Sequence, residues 1–164
     1  LMRSWGEKTR YEHSIRGFNY RMDGIQGAVL GVKLRHLEQW TETRRRLAAS
    51  YGRLLSGTVA RTPTERPGVR HVYHLYVVRL GQRDAWRAHL LQRGIQSGLH
   101  YPIPLHLQPA YRDLGYSAGD FPVAETVAGE VLSLPLFPEM TDAQQEEVSG
   151  VLRAGLPADA RVGA

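Results

Sequence analysis

Apolar residues recur at helical spacing from Ile25 through Val29, Val32, Trp40, Leu47, Tyr51 and Leu54, widened by Leu30, Leu34 and Leu37. This stripe predicts one amphipathic helix over 22–57, roughly 50 Å long at the α-helical rise. Asp23 suits its N-terminus as a cap or first-turn acid, and Gly57 suits its end. Such a helix in a short chain reads as a spine joining two bodies. Gly24, Gly27 and Gly31 fall on one side of it, where a close backbone or ligand explains glycine best. Arg44, Arg45 and Arg46 read as a solvated face.

Beyond the spine the period changes. Residues 59–68 are rich in proline and threonine and predict a loop. His71 to Leu80 is β-branched and aromatic and predicts a strand. Arg83 to Arg93 predicts a helix stopped by Gly94, and Ile95 to Tyr101 a second strand ended by Pro102 and Pro104. Leu105 to Tyr111 predicts a turn of helix, and 115–120 a loop. Phe121 to Glu130 predicts a helix with proline in its first turn. Val131 to Leu136 predicts a short strand. Thr141 to Arg153 predicts a helix opened by a Thr141/Gln144 capping box. The order is a long helix followed by β-α-β-(α)-α-β-α, an α+β body. Trp5 to Arg16 is polar without a period and reads as a loop, and Leu1 to Ser4 as the tail of a helix whose start lies upstream.

Composition narrows the chemistry. The chain has 164 residues, 42% of them hydrophobic, with no cysteine, so disulfide and thiolate chemistry are excluded. No apolar run reaches the roughly 18 residues of a membrane span, and no signal peptide opens the chain, so no membrane partner and a cytoplasmic location are expected. The net charge is +5 and almost wholly arginine, since lysine occurs only at Lys8 and Lys33. Arginine suits carboxylate and phosphate. The charges are scattered rather than gathered in a stripe with aromatics, so nucleic acid is not an expected partner. His71 and His74 lack accompanying metal ligands and read as strand residues. The Tyr11-Glu12-His13 cluster reads as surface.

Two polar segments stand out. Gly17-Phe-Asn-Tyr-Arg21 runs straight into the spine. His100-Tyr-Pro-Ile-Pro-Leu-His106 places two histidines and a tyrosine on a proline-stiffened backbone, suited either to an anionic or sugar-like ligand or to a packed loop.

G-F-N-Y-R-M-D-G-I-Q at 17–26 and G-L-H-Y-P-I-P-L-H-L-Q-P-A-Y at 98–111 resemble the DegT/DnrJ/EryC1/StrS family of pyridoxal-phosphate-dependent nucleotide-sugar aminotransferases. F-P-V-A-E-T at 121–126 and L-S-L-P-L-F-P-E-M at 132–140 resemble two further family segments, in the same order. The resemblance covers about Trp5 to Leu152. It implies the C-terminal part of a fold-type-I, aspartate aminotransferase-like enzyme. Residues 1–21 would end the large cofactor domain and form a dimer-contact turn. Residues 22–57 would be the interdomain helix, 58–155 the small α+β domain, and 156–164 a disordered tail.

The resemblance also implies roles. Asn19 would bind the phosphate of pyridoxal 5'-phosphate across a homodimer with shared active sites. Tyr20 and Arg21 would line that shared site as substrate-binding residues, and His100, Tyr101 and His106 would face the same nucleotide-sugar substrate, with glutamate as the usual amino donor. The Schiff-base lysine would lie upstream of Leu1, since Lys33 falls in the spine and Lys8 in a polar loop. Two other readings follow. One is a sugar dehydratase relative, in which histidine replaces the lysine. The other is a non-catalytic module of the same fold.

Overall fold

A computed structural model describes residues 1–157. The chain divides into two compact units, Leu1–Gln39 and Trp40–Ala164. The tail expected over 156–164 lies mostly outside the described residues. Leu156 is buried with the core of the second unit.

The first unit opens with a small hairpin where the sequence predicted a loop. Strands β1 (Glu7–Thr9) and β2 (Glu12–His13) pair antiparallel, with Tyr11 in the left-handed region at φ 70°. Too short and polar to show a period, they are held by backbone bonds. The flanking chain is tied down by Phe18 N–H to Met2 O at 2.7 Å and Trp5 N–H to Phe18 O at 2.8 Å. Gly17 sits where these segments touch, and a Cβ there would lie 2.1 Å from Gly6 N. Any side chain at Gly17 forces the backbones apart.

Helix α1 (Gly24–Leu34) follows. Asp23 is its N-cap, and Gln26 Oε1 accepts from Asp23 N–H at 3.0 Å to complete a capping box. The predicted spine is not one helix. It stops at Leu34 and resumes as α2 (Leu37–Leu54). Between them Arg35 N–H reaches Val32 O and His36 N–H reaches Lys33 O, three-residue bonds that tighten the coil. Neither residue is a helix breaker and the apolar stripe continues across them, so the sequence hides the interruption. No residue of α1 is buried. Gly24 and Gly31 have nothing within 4 Å of an added Cβ, so no neighbour among the described residues accounts for their smallness.

The second unit is built around strands β3 (Tyr76–Arg79) and β4 (Val131–Leu134), paired antiparallel with Tyr76 opposite Leu134 and Val78 opposite Leu132. One bridge at each edge, Arg61 to Arg79 and Gly98 to Ser133, widens the sheet to four segments. The pleat puts Tyr76, Val78, Leu132 and Leu134 on one face. That face packs with α2 side chains, where Tyr51 stacks on Tyr76 with ring centres 4.9 Å apart and donates to Pro135 O at 2.9 Å. Burial pushes both phenols up. Helix α3 (Arg83–Gln92) adds Trp86 and Leu90 to the core. Helix α4 (Pro122–Glu130) follows proline at its first turn. Helix α5 (Asp142–Ala154) carries the predicted capping box, and its buried Gln145 donates to Leu47 O at 2.7 Å.

Three expectations change here. The strand predicted from His71 begins only at Tyr76. Side chains take the earlier backbone groups: His71 N–H donates to Glu65 and Tyr73 N–H meets His71 Nδ1. His71 and His74 are therefore not strand residues. The strand predicted over 95–101 contracts to the Gly98 bridge. Arg44 and Arg45 are not a solvated face. Arg44 donates to Leu136 O at 2.8 Å, and Arg45 to Glu65 Oε1 at 2.8 Å and His71 O at 2.7 Å. Hydrogen bonds from Arg45 and from the His71 N–H hold the Glu65 carboxyl below its ordinary range against the opposing effect of burial. Arg46, paired with Asp142, stays exposed.

Candidate functional site

In the first unit the turn before α1 is anchored by its backbone and exposed at its side chains. Asn19 bridges Ser4 and Tyr20 N–H donates to Arg3 O at 2.9 Å. Asn19, Tyr20 and Arg21 are all exposed. Arg21 Nε donates to Asn19 Oδ1 at 3.0 Å. That bond orients the Asn19 amide so that its NH₂ remains a donor, beside a guanidinium whose Nη groups meet no acceptor among the described residues. Two adjoining donors, one of them cationic, fit a phosphate. Tyr20 stacks on Phe18 with ring centres 4.9 Å apart, which steadies the turn. A hollow of about 600 Å³ lies beside it, lined by Tyr20, Arg21, Met22, Ile25, Val29 and Leu30.

In the second unit the His100–His106 segment forms an arch that lines one side of a groove of about 480 Å³. Ile103, Leu105, Phe121, Val127 and Val131 give the groove an apolar lining. The arch is pinned at both ends. His100 Nδ1 lies 2.8 Å from Ser133 Oγ, on the sheet face opposite the α2 packing. The bare Gly98 leaves room for that ring, since a Cβ there would sit 2.6 Å from His100 Cε1. The peptide between His100 and Tyr101 is cis. At the far end His106 Nε2 lies 3.0 Å from Glu125 Oε1, and the His106 side chain is 8% exposed. Between the pins Tyr101 is 74% and Leu105 73% exposed.

Glu125 was not singled out by its chemistry in the sequence. It lies in the first turn of α4, and its carboxylate also accepts from Gly119 N–H at 2.9 Å and Phe121 N–H at 3.2 Å. Burial alone would raise its pKa. The bonds from Gly119, His106 and Phe121 outweigh that and hold it below the ordinary carboxyl range. Phe121 packs edge-on against His106, and Tyr116 against Phe121. The far end of α4 is fixed by buried Arg83, which donates to Ala128 O at 3.1 Å and Val131 O at 3.4 Å. The available signal was an acid closely following a Gly-Asp loop, inside the quoted 121–126 segment.

The structure thus brings Asn19, Tyr20 and Arg21 together on one turn, and His100, Tyr101 and His106 on one arch, each within its own unit. Among the described residues no cluster of potential metal ligands occurs, and no helix is long and apolar enough to cross a membrane.

Comparison with known proteins gives a consistent result. The chain is 46% identical over 156 residues to the erythromycin biosynthesis sensory transduction protein EryC1 of Saccharopolyspora erythraea, covering 94% of this chain and 43% of that protein. It is 40% identical to dTDP-3-amino-3,4,6-trideoxy-alpha-D-glucose transaminase of Streptomyces venezuelae, covering 93% of this chain and 41% of that protein. Among solved structures, S. venezuelae DesV superposes with a TM-score of 0.87 at 38% identity, over 99% of this chain and 43% of that one. The chain therefore spans about two-fifths of the length of these relatives, and its fold matches the corresponding part of DesV. The sequence pattern of one family runs along residues 1–153, and on that match the chain belongs to the DegT/DnrJ/EryC1/StrS aminotransferase family.

Proposed function

We propose that the full-length protein is a pyridoxal-phosphate-dependent aminotransferase that places an amino group on a keto-sugar nucleotide. In this reading the protein is a cytoplasmic homodimer with shared active sites and glutamate as donor. Asn19 and Arg21 grip the cofactor phosphate of the partner subunit, with Tyr20 beside them. Tyr101 meets the nucleotide-sugar, with His100 and His106 shaping its approach. When bound, the cofactor supplies the electron sink that amino transfer requires. The covalent lysine belongs to a part of the protein outside this chain, because Lys8 lies on β1 and Lys33 in the last turn of α1.

The observation that carries this reading is the Asn19–Arg21 pair, an exposed amide locked to a guanidinium on a backbone-anchored turn. The relatives named as sugar transaminases support the substrate class. In full-length protein Asn19→Ala removes a hydrogen bond to a charged phosphate, worth about 1.5–3 kcal/mol. Equilibrium dialysis should show weaker cofactor retention by that amount. Unchanged retention in a folded, dimeric variant rules out the assignment.

A further inference from the structure

Behind His106, which lines the groove of the second unit, lies a carboxylate that no expected role uses. Glu125 collects donors from three separate stretches: Gly119 from the preceding loop, Phe121 at the start of α4, and His106 from the arch. Its own helix is fixed independently by Arg83. The carboxylate is therefore a fixed point to which one end of the arch is tied, while His100 and Ser133 tie the other to the sheet. Between those two ties the arch is stiffened by Pro102 and Pro104 and by the turn at Leu105–Leu107, where Leu107 N–H donates to Pro104 O at 3.0 Å, so the position of its crown follows that of its ends. The crown carries Tyr101, Ile103 and Leu105 along the apolar groove.

We propose that Glu125 is a positioning residue for nucleotide-sugar recognition, acting through His106 to hold the Tyr101-bearing arch in its binding shape. The proposal rests on the functional reading above. Glu125 touches no substrate. Its effect passes to the crown by one bond, from a helix tied separately to Arg83. His106 is accordingly an anchor: its side chain is nearly buried and its Nε2 is already engaged. Removing the carboxylate frees one end of the arch, and the ordering cost then falls on substrate binding. The amino-donor step, which needs no nucleotide-sugar, is not affected.

The test uses full-length protein and two single-turnover reactions, each followed by the cofactor's absorbance. One is driven by L-glutamate and the other, in reverse, by dTDP-3-amino-3,4,6-trideoxy-α-D-glucose. Glu125→Ala should raise the half-saturating amino-sugar concentration about tenfold, the scale of one lost charged hydrogen bond. The glutamate reaction should stay within about twofold, inside the spread of a remote surface change. Glu125→Gln keeps the size and one acceptor oxygen and should recover part of the loss. His106→Ala should also raise the half-saturating amino-sugar concentration, and the double variant should be no worse than Glu125→Ala, because the His106–Glu125 bond is already gone there. A Glu125→Gln variant that folds and dimerises but binds the amino-sugar as wild type does overturns the proposal. So do additive losses in the double variant, or equal losses in both reactions. Wild-type protein inert toward both glutamate and the amino-sugar overturns the functional reading itself, a result separable from any of these.

Discussion

Ile25 in α1 is 76% exposed, whereas Leu90 in α3 is 0% exposed. Both sit on apolar stripes at helical spacing, and the difference lies in what faces them. The body from Trp40 onward supplies a sheet face, α2 and α5 around α3, so its stripes close into one core. The first unit has only a two-stranded hairpin and a turn, and α1 keeps Val29, Val32 and Leu34 more than half exposed. A period of 3.6 specifies a helix with an apolar side; burial needs a second layer. Among the described residues the first unit's stripe has no such layer, whereas the second unit supplies one for itself.

The largest test of this contrast is Leu90→Ala. It should cost about 2–5 kcal/mol of stability in this chain, read by denaturant unfolding, because a fully buried leucine leaves a cavity. A loss below about 1 kcal/mol would mean that the core around α3 is not packed as described. Next is an acid titration at Glu125. Its folded pKa is depressed, so its contribution is complete above the ordinary carboxyl value near about 4.3 and is lost as pH falls through the lower folded value. Exchange protection of the Gly119 amide should collapse in that acid window, while amides of the β3–β4 ladder hold. Protection of Gly119 that persists after Glu125→Ala would sever the carboxylate from the loop. The smallest effect belongs to Ile25→Ser, which should change the stability of this chain by no more than about 0.5 kcal/mol. A larger loss would show that α1 is packed after all.

The sequence disclosed features that rest on neighbours a few residues away. Thr141 and Gln144 formed their capping box because its parts are local. So did Asp23 as a cap, Gly57 at φ 76° past α2, and proline opening α4. It missed what depends on distant partners. Arg44 finds its acceptor at Leu136, and Arg45 at Glu65 and His71; no spacing rule reaches so far. The hairpin at 7–13 was too short to carry a period. The tightening at Arg35–His36 was invisible because both residues are tolerated in helices. The site divides the same way. The two polar segments were found from composition and resemblance. The fixing of the arch by Ser133 and Glu125 required the fold, since each pin joins residues 19 or more positions apart.

The edges of the β3–β4 sheet bear on self-association. Each outer segment is joined by a single bridge, at Arg61 and at Gly98. Beyond these bridges the chain runs into Pro63 on one side and into Pro102 and Pro104 on the other, residues with no N–H to offer an incoming strand. An exposed edge becomes hazardous when it is long and regular enough to template another chain. Here the regular ladder is covered on both flanks by segments too short and too proline-bound to extend it. The same prolines that stiffen the arch beside the groove also keep the sheet from growing, so a loop read first for its chemistry guards the protein against aggregation.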